Sequence, residues 1–179
     1  MKHRYYWLIV FLFFFIACED FFIKDKEFSM KVTPYTGNDL RIDGYFYKNY
    51  TDDKVDFLMF YSNGVFFKNS STSVELESRL QDPNYIKNLR DCRFCWGPYN
   101  INNNILRFEF YDIFGHTWHT CIANCVILND TTFNIENITF SSTGKKVDVK
   151  KEGSSYYSLG VYHFKQFSPK PDSTNVYIR

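Results

Sequence analysis

Residues 56–67 have the sequence DFLMFYSNGVFF, in which the dipeptide Asn63-Gly64 separates two apolar runs. Both residues of such a dipeptide adopt positive φ angles at little cost, so Asn-Gly between apolar runs is the strongest short-range signal for a β-hairpin. The stretch therefore predicts two antiparallel strands joined by a tight turn.

The chain repeats this pattern on both sides of the hairpin, with short apolar runs separated by Asn, Asp and Ser. Aromatic residues make up 21% of the chain, which also favours strands. We expect an all-β fold, an antiparallel up-and-down β-barrel of about eight strands, because closing such a meander removes its exposed edges. The predicted strands are 40–47, 56–61, 65–67, 96–101, 105–111, 117–128, 131–140, a weak one at 145–149, and 156–167.

Residues 74–90 are the only plausible helix after the N-terminal segment, with Leu76 and Leu80 on one side. Pro83 interrupts the pattern, since proline lacks the backbone donor that a helix interior needs. We expect one short helix or two pieces, within an insertion into the barrel at residues 70–95.

The N-terminus has the pattern of a bacterial lipoprotein signal. Basic residues precede an uninterrupted apolar run from Tyr5 to Ala17, which is too short to span a bilayer as a helix. Phe15-Ile16-Ala17-Cys18 resembles a lipobox, with Phe15 where leucine is usual. An uncleaved membrane anchor, or an ordinary signal followed by an unrelated cysteine, are the alternatives.

This pattern predicts lipidation at Cys18 and anchoring in the cell envelope, in the outer membrane and facing either the periplasm or the surface. The acidic pair Glu19-Asp20 resembles the surface-export signals of Bacteroidetes lipoproteins. The expected organisation is a signal peptide at 1–17, a lipidated tether at 18–39, the barrel at 40–167 and a tail at 168–179.

Charge and motif content exclude several classes of function. The net charge is +1, so there is no electrostatic case for binding nucleic acid. No phosphate-binding loop, paired carboxylates or catalytic triad is evident, and His116, His119 and His163 are expected to be solvated or structural. We therefore expect no enzyme, no cofactor and no metal.

Five stretches support a resemblance: residues 40–46, LRIDGYF; 60–65, FYSNGV; 96–101, WGPYNI, with Ile105 following; 129–133, NDTTF; and 170–173, KPDS. Together they resemble small Bacteroidetes lipoproteins with lipocalin-like barrels. The chain departs from true lipocalins, whose first strand carries Gly-x-Trp, because Tyr45 and Phe46 follow Gly44 here. The resemblance implies a barrel with an internal cavity, but no known ligand.

Four cysteines follow the signal, namely Cys92, Cys95, Cys121 and Cys125. Their spacing could suit zinc, but in an exported chain disulfides are the commoner outcome, and free thiols are the third possibility. Cys121 and Cys125 lie about 13 Å apart along one face of an extended strand, so they cannot bond each other. We expect cross-pairing between the Cys92/Cys95 segment and the Cys121/Cys125 strand.

Two functions remain open for the barrel. A small apolar ligand could occupy a cavity, or the barrel could be filled and the domain could bind another envelope protein through the insertion. The candidate cavity-lining residues are aromatic, and each could equally belong to a packed core: Phe57, Phe60, Phe66, Trp96, Phe108 and Phe110.

Overall fold

The computed structural model describes residues 27–49, 51–114, 116–148 and 159–178. The predicted signal peptide and Cys18 lie outside these ranges. The described strands are β1 (Gly44–Asn49), β2 (Lys54–Phe60), β3 (Val65–Thr72), β4 (Trp96–Asn102), β5 (Ile105–Phe114), β6 (Thr117–Asn129), β7 (Thr132–Phe140) and β8 (Gly160–Gln166). Between β3 and β4 lie helices α1 (Leu76–Gln81) and α2 (Pro83–Arg90), then a 3-10 turn (Arg93–Cys95).

Each strand pairs antiparallel with the next, and β1 pairs with β8 to close the barrel. Phe46 shows the closure directly, because it lies opposite Leu58 of β2 on one side and Phe164 of β8 on the other. The predicted up-and-down barrel of eight strands with a helical insertion is therefore confirmed. The weak strand predicted at 145–149 is reduced, in its described part, to a bridge between Thr139 and Lys146.

Two tight turns follow the asparagine and glycine chemistry of the sequence. Gly64 has a φ of 83°, and a Cβ at this position would lie 2.2 Å from the carbonyl oxygen of Thr33. Asn103 and Asn104, between β4 and β5, have φ angles of 51° and 62°. In the Asn103-Asn104 turn, positive φ at both central residues matches the twist of the flanking strands and sets the hairpin register. In the Asn63-Gly64 turn only Gly64 has a positive φ, so the expectation of positive φ at both residues is wrong for Asn63.

The barrel interior is packed with aromatic rings. Phe60 lies at its centre, with ring centroids of Phe46, Phe66, Tyr99 and Phe108 between 4.9 and 6.1 Å away. These side chains are at most 1% exposed. Alternation along each strand places them on the inner face, where they exclude water from the barrel interior.

A second cluster lies on the outer face of β1 to β4, beneath the two helices. Phe57 and Met59 alternate with inward-facing residues of β2, so this strand is buried on both faces. Leu76, Leu80 and Leu89 cover them from the helices. The insertion is thus a second layer of packing on one side of the barrel.

Proline and aspartate divide the insertion into its two helices. Pro83 is the first residue of α2, where its missing N–H costs nothing, and Asp82 accepts a hydrogen bond from the backbone N–H of Asn84 at 2.9 Å. The indole nitrogen of Trp96 donates to the carbonyl of Leu89 at 2.8 Å, which ties the end of α2 to β4.

Both flanking segments lie against the barrel. The hydroxyl of Ser29 and the backbone N–H of Met30 donate to the buried carboxylate of Glu109 at 3.1 and 2.7 Å. In the C-terminal tail, the Lys170 ammonium donates to the carbonyl of Phe60 at 2.7 Å, and Asp172 pairs with Arg90 at 2.6 Å. The described part of the predicted tether therefore packs on the domain.

Candidate binding cleft in the barrel wall

The barrel wall has a gap between β3 and β5. Strand β4 pairs with β3 only along Val65–Phe67, so the rest of β3, from Lys68 to Thr72, has no β4 residues beside it. The C-terminal half of β5, after Glu109, likewise pairs only with β6. The ammonium of Lys68 spans the gap and donates to the carbonyl of Tyr111 at 2.7 Å.

A cavity of about 390 Å³ adjoins this gap, and we call it the wall cleft. Its apolar walls are Phe57 of β2, Leu89 of α2, Phe94 of the 3-10 turn and Trp118 of β6. The rings of Phe94 and Trp118 stack with centroids 3.9 Å apart and planes 11° from parallel. Its rim is completed by polar and sulfur-containing residues, namely Asn69, Asn88, Cys92 and Cys95.

The floor of the wall cleft carries polar groups in an otherwise apolar setting. The side chains are Asp56, Lys68 and Ser70, and the Ser70 hydroxyl donates to the Asp56 carboxylate at 2.5 Å. Asp56 and Lys68 are each only 7% exposed. Such convergence of a few polar groups inside an apolar cavity is typical of small-molecule sites.

Burial sets the protonation chemistry of this floor. It raises the pKa of the Asp56 carboxyl, although the Ser70 hydrogen bond and the cations of Lys48 and Lys68 oppose the rise. It lowers the pKa of the Lys68 ammonium to about 8, with Asp112 as the principal opposing charge. Burial thus favours the neutral form of both groups relative to their exposed counterparts.

The predicted cavity-lining residues are divided between the two sides of the barrel wall. Phe60, Phe66, Phe108 and Phe110 belong to the packed interior. Phe57 and Trp96 belong to the outer cluster, and of these six only Phe57 lines the wall cleft.

Sequence reasoning missed Lys68, Phe94 and Trp118 as parts of the cleft. Asp56 and Lys68 carried a partial signal, because each is a charged residue at the edge of an apolar run. Phe94 and Trp118 carried none, since their contact depends on the path of the insertion.

The predicted cross-pairing of the cysteines is wrong. Cys92 and Cys95 form a disulfide with each other, and Cys121 and Cys125 are buried thiols. The latter two lie with Ala123 on the inner face of β6, whereas Cys95 packs against the outer cluster. The barrel wall therefore separates the two pairs. Burial also raises the pKa of the Cys125 thiol well above its ordinary value.

None of the described histidines lines the wall cleft. The ring of His119 packs against Phe140 with centroids 5.3 Å apart, and that of His163 lies 6.5 Å from Tyr47. Among the described residues, no group of three or more His, Cys, Asp or Glu side chains could hold a metal ion.

No helix in the described ranges is long and apolar enough to cross a membrane. Comparisons with protein-family models, with curated proteins and with solved structures find no match for this chain.

Proposed function

We propose that this protein is a lipid-anchored protein of the bacterial cell envelope that binds a small, largely apolar ligand in the wall cleft. The cleft itself is the observation that supports ligand binding most strongly. Its volume of about 390 Å³ falls within the range of small-molecule sites, and aromatic walls surround a few polar groups.

The barrel interior is a poorer candidate for the ligand site. Its inward-facing rings are in mutual contact and almost fully buried, so a ligand there would have to displace core side chains. Displacing well-packed rings costs several kcal/mol, on the order of the loss from a large core truncation. The wall cleft needs no such displacement.

The floor chemistry narrows the ligand class. Asp56 is a hydrogen-bond acceptor at the inner end of the cleft, and Phe57, Phe94 and Trp118 offer ring faces and edges. A flat, apolar molecule could pack against these rings, and one hydrogen-bond donor at its end could bind the Asp56 carboxylate.

The ligand proposal is tested with the neutral apolar dye Nile red, whose emission rises in an apolar site. We expect saturable binding to the protein and its loss in Asn88→Phe, which places a ring over the cleft from an exposed position on α2. Lys87→Phe is the matched control, because its exposed side chain does not line the cleft. Equal binding by all three proteins would refute the cleft as the site.

The anchoring proposal rests on the apolar run ending at Cys18, and the Cys92–Cys95 disulfide supports an oxidising compartment. Expression in bacteria with radiolabelled palmitate tests it. We expect label in the protein and membrane recovery, both lost in Cys18→Ser. Unlabelled protein with an uncleaved N-terminus would contradict lipidation.

A second candidate is a protein-interaction module of the cell surface, favoured by the filled interior. Val74, in the insertion, is 91% exposed although it is apolar, which suits contact with another envelope protein. Photocrosslinking from position 74 in intact cells tests this function. We expect one reproducible cross-linked partner and, in a separate pull-down without the cross-linker, loss of that partner on Val74→Asp. Absence of any partner from position 74 would contradict this function.

A further inference from the structure

The Cys92–Cys95 disulfide lies at the rim of the wall cleft. Both residues line the cavity and both are only half-buried, so the sulfur atoms border the space that a ligand would occupy. Cys121 and Cys125 are at most 1% exposed inside the barrel. Of the cysteines in the described ranges, neither of these two is therefore placed to react with the rim disulfide, whereas a thiol ligand in the cleft would border it.

The fold around the disulfide is held by other contacts. Cys92 and Cys95 are three positions apart, and a disulfide that closes so short a loop contributes less stability than one that closes a long loop. The Trp96 indole donates to Leu89, and Phe94 stacks on Trp118, on either side of the bridge. Opening the bridge would thus leave the cleft walls in place.

We propose that Cys92 and Cys95 form a thiol–disulfide exchange site whose substrate is a small apolar thiol bound in the wall cleft. The proposal rests on the cleft being a ligand site and names the class of ligand.

The exchange consists of two balanced steps. A substrate thiol loses its proton to water, and its thiolate attacks one cysteine sulfur, forming a mixed disulfide and releasing the other cysteine as a thiolate. A second substrate thiolate attacks the substrate sulfur of that mixed disulfide and releases the first cysteine. The two cysteine thiolates take up two protons. Two substrate thiols are oxidised to one disulfide, and the protein disulfide is reduced to two thiols.

The test compares reduction of the protein by benzyl mercaptan with reduction by 2-mercaptoethanol, a polar thiol of similar acidity. Alkylation and mass spectrometry of the undenatured protein count the thiols at Cys92 and Cys95. We expect benzyl mercaptan to react with saturation and at least about tenfold faster, because its ring is buried in the cleft. The advantage should disappear in Asn88→Phe and persist in Lys87→Phe. Equal rates for the two thiols in the unmodified protein would overturn the proposal.

Two single-cysteine variants test the covalent intermediate. Incubated with dibenzyl disulfide, Cys95→Ser or Cys92→Ser should form a mixed disulfide at the remaining rim cysteine. Absence of the adduct in both variants would also overturn the proposal. Nile red binding to the Cys92→Ser/Cys95→Ser double variant distinguishes failure of the exchange site from failure of the ligand site. If the double variant binds the dye but the unmodified protein shows no exchange, the exchange proposal is overturned and the ligand site stands.

Discussion

The two sides of the barrel wall are packed in different ways. On the inner side, rings from all around the barrel meet at Phe60, and closure of the sheet brings every strand to the same core. On the outer side, two short helices cover only part of the sheet. The wall cleft lies where the C-terminal half of β3 has no β4 residues paired with it. The barrel therefore provides the packed core of this protein, and the incomplete helical cover leaves the cleft that we propose as the ligand site.

The largest expected effect comes from breaking the inner side. Phe60→Ala should lower the free energy of unfolding by about 4 kcal/mol, because it removes a fully buried ring and leaves a cavity. Urea denaturation measures this loss. Nile red affinity of the folded variant should stay unchanged, since Phe60 does not line the wall cleft. If Phe60→Ala had almost the same free energy of unfolding as the unmodified protein and gained a new dye site, the interior would be loosely packed.

A smaller effect is expected where the cleft floor meets the barrel wall, at Lys68. Its pKa of about 8 when folded lies below the ordinary 10.5, so between these values the unfolded chain binds a proton that the folded chain lacks. Stability from this group therefore rises with pH across that window.

Lys68→Met removes this dependence. The free energy of unfolding of the unmodified protein, relative to the variant, should increase by about 2 kcal/mol between pH 7 and pH 10. Urea denaturation at several pH values measures it, and Lys54→Met, at an exposed position of β2, is the control. A constant difference across the range would show that Lys68 is not desolvated.

The smallest stability effect is expected on the outer side, in the stacked pair of Phe94 and Trp118. Phe94→Leu should cost about 1 kcal/mol, the usual contribution of an aromatic pair, yet should weaken Nile red binding. Phe28→Leu is the matched control, because Phe28 packs against Tyr111 outside the cleft lining. Equal dye affinity in the two variants would argue against Phe94 as a cleft wall.

The strands could be predicted because their cause is local. Alternation, Asn63-Gly64 and the asparagines after β4 each act within a few residues, and they set the hairpins that build the barrel. The start of β1 was less predictable, because Gly44, its first residue, lies very close to β8, which is distant in the sequence. A Cβ there would lie 2.1 Å from the carbonyl oxygen of Lys165 on β8.

The site could be predicted only in part because it depends on non-local packing. Asp56 and Lys68 stand out as inward-facing charges, but only the β2–β3 register brings Ser70 opposite Asp56. The cysteine pairing failed for the same reason. Spacing along the chain does not reveal that the barrel wall lies between Cys95 and Cys121.

The most direct test of the central claim is a methyl NMR titration of the protein with Nile red, comparing leucines on the two sides of the wall. Leu89 lines the wall cleft, whereas Leu58 and Leu106 lie in the barrel interior. We predict saturable shifts of the Leu89 methyl signals with Leu58 and Leu106 unchanged. Shifts of Leu58 and Leu106 with Leu89 unchanged would place the ligand inside the barrel and contradict the account.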